Sequence, residues 1–355
     1  MIVREIKFKD FSQIHNLQKK YNLRSIINYK DKILKNYKYF SKKIPMGWVI
    51  EDHGKVKGCV VNIVKTYCYN HKKILCSASN SLVVDEKYRS YTLNLLRKFF
   101  NQKKIDFFLN TTPNEATYKI WKKIGSHDIP QETLYKKLLY IFNSKKTLSF
   151  FFKRNKIIAP NFFLNVSSNI LRKSLIKKKI FDSTSKLKFK RTLKLNKELK
   201  FFLKSNLNKN KLELNRDKSW FELNYNNRKI QKSYLFEVRR KNKIIGFCGL
   251  IENNIKKFNL KRLSLCDIII EKNNPKIYEF LLFKLFNMSE IKKYDLIETQ
   301  GFTNGKHNIL KKFAHLSLKN KHYPFLYKVK SPSSNIFLKK KGIWKLSLVD
   351  GDNLI

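Results

Sequence analysis

Residues 82–100 read LVVDEKYRSYTLNLLRKFF. Leu82-Val83-Val84 is a short β-branched run that stops at the acidic pair Asp85-Glu86, the pattern of a strand closing at a turn. Tyr88-Arg89-Ser90 follows, and an amphipathic helix opens at once, running from about Ser90 to Lys103. A strand that passes directly into a helix gathers unpaired backbone amides and the positive end of the helix dipole in one place, which suits an anion. Such loops usually carry glycines, and this one has none. The stretch is either an anion-binding loop built without glycine or a plain strand, turn and helix.

The neighbouring sequence places it in a larger pattern. Upstream, residues 48–51 and 56–67 are β-branched and aromatic runs split by Asp52-His53-Gly54, a hairpin signal. A second turn at Asn70-His71-Lys72 leads into a third run, 74–84, completing an antiparallel meander. The chain begins with a strand and a helix that starts near Asp10-Phe11-Ser12, where Asp10 or Ser12 can cap it, and a polar helical region extends to about Ser41. Downstream come a strand at Asp106–Asn110 and a helix at Asn114–Lys123, with Gly125 as its C′ residue.

Residues 143–184 interrupt this order with aromatic and basic residues and no acid before Asp182. They read as a helical connector across both halves, with contact to an anionic membrane surface as the alternative. From about 185 the first order returns. A hairpin spans 234–251 around Lys241-Asn242-Lys243, and Arg262 to Ile270 is a strand. A helix runs from Pro275 to Lys292, then come a strand at Tyr294–Thr299 and a helix near 306–313. Strand-like segments at 323–329 and 343–349 finish the chain. The expectation is two α/β domains with mixed, mostly antiparallel twisted sheets, over 1–142 and 185–355, joined by the 143–184 connector.

The bulk numbers bound the possibilities. A chain of 355 residues with 42% hydrophobic residues can build two cores. No apolar run approaches the roughly 18 residues of a membrane span, and the opening MIVREIKFKDF has no signal-peptide core. These features predict a cytoplasmic protein. The formal charge of +51 comes from 77 basic residues, of which 12 are Arg, spread along the chain rather than gathered in one arm. Lys, Asn, Ile, Phe and Tyr are abundant together, so the charge reads mainly as compositional bias. A weak pull toward anionic surfaces or nucleotide-bearing substrates follows from it in any case. The five Cys form no CxxC pair and fit buried free thiols; the seven His show no ligand spacing, so no metal is expected.

The order of elements resembles the GNAT acetyltransferase superfamily, here in tandem, and within it acetyltransferase-like proteins of bacterial surface-polysaccharide gene clusters. Over 1–142 the resemblance rests on the hairpin Trp48 to Val61, on Val84-Asp85-Glu86-Lys87-Tyr88-Arg89, on Asn110-Thr111-Thr112-Pro113-Asn114, and on Ile124-Gly125 and Ile129-Pro130. The tail Trp344 to Asp352 fits as well; the rest of 185–355 matches by order of elements only. The resemblance implies an acyl-coenzyme A site, with acetyl-CoA as the expected donor and no metal. Its pyrophosphate would face Arg89, Ser90, Tyr91, Thr92, Leu93 and Asn94, at the end of the strand carrying Val83 and Val84. Thr92 and Asn94 stand where that pattern has glycine and glycine or alanine, so a Cβ narrows the approach, while Lys87 and Arg97 add charge. The pantetheine arm would lie between splayed strands, near Asn110 and Thr111; Asn114 caps the next helix in either reading.

The superfamily often carries a Tyr four residues before the closing glycine, whose phenol protonates the leaving thiolate. Trp121 holds that place here; Tyr118, one turn earlier on the same face, is the candidate to substitute as the acid, with a core aromatic as its other reading. His127 and Asp128 are candidate general bases, as are Asp350 and Asp352 of the tail, which are also candidate contacts to the acceptor; each also reads as an exposed loop residue. The second half has no arginine–glycine loop at Ile270–Pro275 and is expected to shape an acceptor site from the cleft between halves. The function expected is an acyl-CoA-dependent N-acyltransferase acting on a small amine, such as a nucleotide-linked amino sugar. The alternatives are a FemAB-type transferase that uses aminoacyl-tRNA and a catalytically silent binding module.

Overall fold

The computed structural model describes residues 1–23, 26, 30–40, 43–157, 187–225, 232–319, 324–330, 337–347 and 350. The expected meander is present. β1 (Ile2–Glu5) leads through α1 (Phe11–Lys20) and α2 (Lys30–Tyr39) to β2 (Gly47–Asp52), β3 (Lys55–Tyr69) and β4 (Lys72–Val84). Both hairpin turns use positive φ, at His53 and Gly54 and at Asn70 and His71, which matches the twist of two-residue connections. Asp10 does not cap α1 through its side chain; its carboxylate takes Arg4 at 2.7 and 2.9 Å and the Lys7 amide at 2.7 Å.

The first sheet continues with α3 (Thr92–Phe100), β5 (Phe107–Asn110), α4 (Glu115–Lys123) and the short β6 (His127–Asp128). Helix α3 starts at Thr92 rather than Ser90, because a 3-10 turn, Glu86–Tyr91, intervenes. Asn114 caps α4 by accepting from the Thr117 amide at 2.9 Å. Gly125, at φ 82°, ends it: its amide bonds to the Lys122 carbonyl and the Ser126 amide to that of Trp121, a Schellman closure.

Next come β7 (Lys136–Ile141), α5 (Ser144–Arg154), β8 (Leu187–Thr192), α6 (Lys197–Ser205), β9 (Leu212–Leu214) and α7 (Lys218–Tyr225). The hairpin β10 (Ser233–Arg240) and β11 (Lys243–Glu252) is followed by β12 (Arg262–Ile270). The helix expected over 275–292 is two helices, α8 (Pro275–Asn287) and α9 (Ser289–Lys292), separated where Met288 turns extended at ψ 129°. The chain ends with β13 (Leu296–Gln300), α10 (Asn304–Lys311), β14 (Leu316–Lys319), β15 (Leu326–Val329) and β16 (Trp344–Lys345). Of the strand expected over 343–349, Trp344–Lys345 form β16 and Ser347 bridges Gly301; residues 348 and 349 lie outside the described residues. In the connector, α5 buries Phe150 with Leu139, Ile141 and Leu296, and residues 158–186 lie outside the described residues. Among the described residues no helix is long and apolar enough to cross a membrane.

Sheet membership does not follow the sequence division at 142 and 185. The first sheet runs β1-β2-β3-β4-β5-β15-β6, so a strand from the end of the chain lies between β5 and β6. The second runs β14-β7-β13-β12-β11-β10-β8, with β7 of the first half between β14 and β13. β9 and β16 also join the first sheet, through β3. Each half thus receives a strand from the other.

Period-2 alternation assigns the faces. Trp48, Ile50, Val60 and Val64 point to α3 and α4, where they meet Leu95, Phe99 and Trp121. Val49, Cys59, Val61 and Ile63 point the other way, into a core that also takes Ile244, Phe247, Cys266 and Ile269 of the second sheet. The remaining face of the second sheet packs on α8, α9 and α10 through Phe280, Leu281, Ile291 and Leu310. The shared middle core joins the two halves, and their facing ends enclose the site described next.

Candidate functional site

β4 and β5 pair in parallel only over Cys76–Ala78 and Phe107–Leu109, after which β4 runs on to Val84 paired with β3 alone. The strands therefore part ahead of the turn at Asp85. Ser79 and Asn80 on β4, and Asn110 and Thr111 at the end of β5, are buried polar residues at this opening. Asp85 accepts Lys20 at 2.9 Å and Tyr21 at 3.3 Å, and these bonds hold its carboxyl below the usual range. The 3-10 turn uses amides internally: Tyr88 donates to the Asp85 carbonyl and Thr92 to that of Arg89. Arg89 itself is exposed and pairs with Glu86 at 3.2 Å, a surface contact that a phosphate can replace. Ser90, Leu93 and Asn94 are exposed beside it, Tyr91 is half-buried and Thr92 is buried, with Val83 buried and Val84 half-buried in the strand.

The residues proposed for proton transfer are only partly gathered. Tyr118 donates to Asp128 at 3.1 Å, and Lys122 lies 3.5 Å from the same carboxylate, so these three form one surface cluster. His127 is turned the other way, its ring 5.5 Å from that of Tyr327, and burial followed by Lys339, Lys122 and Lys328 lowers its basicity. Trp121 is fully buried against Phe99 and Phe100, and its indole nitrogen makes no hydrogen bond. It is a core residue.

Asp350 is not an exposed loop residue. It is buried, accepts Tyr67 at 2.7 Å and the Ser347 amide at 2.8 Å, and burial raises its carboxyl although Lys65 opposes the shift. Asp352 lies outside the described residues.

The largest cavity described, about 820 Å³, lies between the halves. One wall is the first-half segment 129–135. That segment is clamped to the second half: Gln131 exchanges two 2.9 Å bonds with the backbone of Leu346, Thr133 donates to the Phe302 carbonyl, and Gln300 donates to that of Leu134. Tyr135 comes from this wall. Its hydroxyl is buried without a hydrogen bond, although the Phe325 amide lies beside it. Burial pushes the phenol up to about 12, and the charges of Asp128 and Tyr118 act in the same direction.

The opposite wall is the second splay. β12 and β13 pair in parallel only over Arg262–Ser264 and Leu296–Glu298. Beyond that, Thr299 donates to the Leu265 carbonyl at 3.1 Å and Lys306 donates to the Ile268 carbonyl at 2.9 Å. The chain's own side chains thus satisfy β12 where a ligand arm would otherwise bond. Lys306 is buried, and burial, reinforced by Lys345, pulls its ammonium down to about 7 despite Glu213 and Asp267.

Behind it stands a charged network. Arg216 reaches one Asp267 oxygen through two nitrogens, at 2.9 and 2.7 Å, and Glu213 at 2.8 Å; Glu213 also pairs with Lys345. Burial alone would raise Glu213, but Arg216 and Lys345 bring it below the usual carboxylate value. Among the described residues no three His, Cys, Asp or Glu side chains stand together as a metal site.

Neither Tyr135 nor Lys306 stands out in the sequence. Tyr135 is one of 17 tyrosines, and Lys306 sits in a chain whose lysines are everywhere. The one sequence signal for Lys306 is its place in the first turn of a helix that follows a strand end.

No family model matches the sequence, and none of the curated proteins does. Solved structures do. The chain resembles a probable N-acyltransferase from Enterococcus faecalis V583 at TM-score 0.58 and 9% identity, over 92% of this chain and 72% of that one. It resembles a GCN5-related N-acetyltransferase from Anabaena variabilis at 0.55 and 11%, with the same coverages. Saccharomyces cerevisiae N-myristoyltransferase with bound myristoyl-CoA superposes at 0.54 and 15%, over 94% of this chain and 85% of that one. Identities this low speak for the fold alone, and together with the two splayed sheets they make this chain a tandem protein of the GNAT fold.

Proposed function

We propose that the protein is an acyl-CoA-dependent N-acyltransferase that binds its donor on the first sheet and its amine acceptor in the cavity between the halves. The observation that carries this reading is an asymmetry. Both sheets splay, but at the second splay the side chains of Thr299 and Lys306 bond to the β12 carbonyls, whereas β4 and β5 part beside the buried polar residues Ser79, Asn80, Asn110 and Thr111, ahead of the Arg89 turn. The likeness to a structure that holds myristoyl-CoA supports an acyl-CoA donor, and acetyl-CoA is the simplest candidate.

In this reading the pyrophosphate meets Arg89 and the amides around Ser90, and the thioester is carried toward the 129–135 wall. An amine held in the cavity attacks the thioester carbonyl, the C–S bond breaks, and the thiolate leaves. Most of the rate comes from holding amine and thioester together. Trp121 has no acidic proton to give, so the phenol that protonates the thiolate is assigned to Tyr135, whose hydroxyl faces no competing acceptor; the proton shed by the acylated nitrogen then restores the phenol. The acceptor is read as a small amine, and a nucleotide-linked amino sugar, as in surface-polysaccharide synthesis, fits the basic cavity.

Calorimetric titration with acetyl-CoA tests the donor half of this. Wild type should bind, and Arg89→Glu should bind at least about tenfold more weakly. Equal binding by both, or none by either, refutes the assignment.

A further inference from the structure

The cavity between the halves has an uncompensated positive charge built into its wall. Glu213 and Asp267 face three cations: Arg216, Lys345 and Lys306. Lys65 and Asp350, which face each other at the edge of this network, do not change that surplus of one. Arg216 and Lys345 have carboxylates within salt-bridge distance. Lys306 has none among the described residues, and its one hydrogen bond goes to a neutral carbonyl. Burying an ammonium without a counter-ion is costly, and the group responds by shedding its proton near neutrality unless an anion enters.

Other features converge on the same space. Lys211, Lys272 and Lys341 stand on the cavity lining, and among the described residues Glu132 is the one acidic residue there. Thr303, the N-cap of α10, makes no side-chain cap bond, and Thr303, Asn304 and Gly305 all stand on the cavity lining, so the unpaired amides of the helix's first turn lie at the cavity. A Cβ placed on Gly305 would meet nothing within 4 Å, so the approach to those amides is open. The volume, about 820 Å³, suits a ligand the size of a nucleotide.

We propose, resting on the acyl-transfer reading above, that this cavity holds the acceptor by a diphosphate group. Lys306 receives it inside the wall together with the α10 amides, and Lys272 and Lys341 close over it from the rim. The substrate class is then an amine carried on a diphosphate, and the diphosphate anchors it while the amine faces the 129–135 wall. The second half acts as the acceptor's anion site, and its filled splay is part of that site because Lys306 is held there by Ile268.

Inorganic pyrophosphate, titrated by calorimetry at pH 6 into the full chain, is the probe. Wild type should bind it. Lys306→Met should weaken binding about tenfold or more, the loss of one charge-assisted contact, and Lys272→Glu at the exposed rim should weaken it several-fold. Lys55→Met, the same charge change on the distant β2–β3 hairpin, should stay within about twofold of wild type. Acetyl-CoA should bind wild type and Lys306→Met alike. Pyrophosphate binding equal across wild type, Lys306→Met and Lys272→Glu overturns the proposal, because it makes the affinity a property of the lysine-rich surface. Acetyl-CoA binding weakened by Lys306→Met or Lys272→Glu as much as pyrophosphate binding overturns it too, because the cavity would then be the donor site. If Lys306→Met does not fold, Lys272→Glu against Lys55→Met still decides. Acetyl-CoA failing to bind at all would refute the donor assignment without touching the pyrophosphate result.

Discussion

Asp267→Leu should be among the most damaging single changes in this protein, and a second change should largely repair it. Asp267 lies on β12 in the second sheet, and Arg216 follows β9 at the edge of the first. The guanidinium meets one Asp267 oxygen at 2.9 and 2.7 Å, Tyr225 reaches the other at 3.2 Å, and all three residues are buried. Removing the carboxylate leaves a buried guanidinium with Glu213, which it must share with Lys345, and leaves the Tyr225 hydroxyl without its acceptor. Breaking a buried pair in this way costs about 3–5 kcal/mol. Arg216→Met should cost about as much. Joined to Asp267→Leu it should bring the loss back to roughly 2 kcal/mol or less, because two apolar side chains need no partner. Urea unfolding of the four proteins measures this, with midpoint and slope read together so that partial unfolding is recognised. The expected coupling is then several kcal/mol. Additive single effects, or an Asp267→Leu cost below about 1 kcal/mol, would refute the idea that this pair ties the two sheets together.

Lys306 carries a pH signature. Its proton is held at about 7 in the folded chain against a normal 10.5. Between those values the unfolded chain binds more protons, so stability rises with pH across that window and is lower below pH 7. Lys306→Met should flatten the rise in thermal-melt series between pH 7 and 10. Gly47 sits at φ 143°, and a Cβ there would lie 2.2 Å from the Val60 carbonyl oxygen, so Gly47→Ala should cost at least about 2–3 kcal/mol in the same melts. Tyr135→Phe should leave the melting temperature unchanged or slightly higher, since its hydroxyl makes no bond, yet slow thiol release from acetyl-CoA in a single-turnover assay. A rate equal to wild type would remove Tyr135 from the mechanism.

Much of the local structure was legible in the residues. The turns at His53-Gly54 and Asn70-His71, the Asn114 cap and the Gly125 stop are short-range chemistry, and each stands where its sequence signal lies. The meander and the second hairpin follow from runs of β-branched residues between such turns. The 3-10 turn before α3 was not legible, because nothing in Glu86–Tyr91 separates it from the first turn of an α-helix. Nor was the burial of Asp350, an acidic residue in a polar tail, which depends on Tyr67 and Lys65 arriving from β3.

Residues alone carried most of the element types and the repetition of their order, because periodicity, caps and turns act over a few residues. Only the tertiary structure decided which sheet each strand joins. Lys136–Ile141 and Leu326–Val329 are short apolar runs whose pattern says strand and nothing about the partner. Pairing is settled by contacts across more than 150 residues, such as Lys137 with Glu298 at 2.9 Å and Leu326 opposite Asn110. The cavity and the charge in its wall come from that exchange, since both are assembled from groups that are far apart in the chain and ordinary where they stand in it.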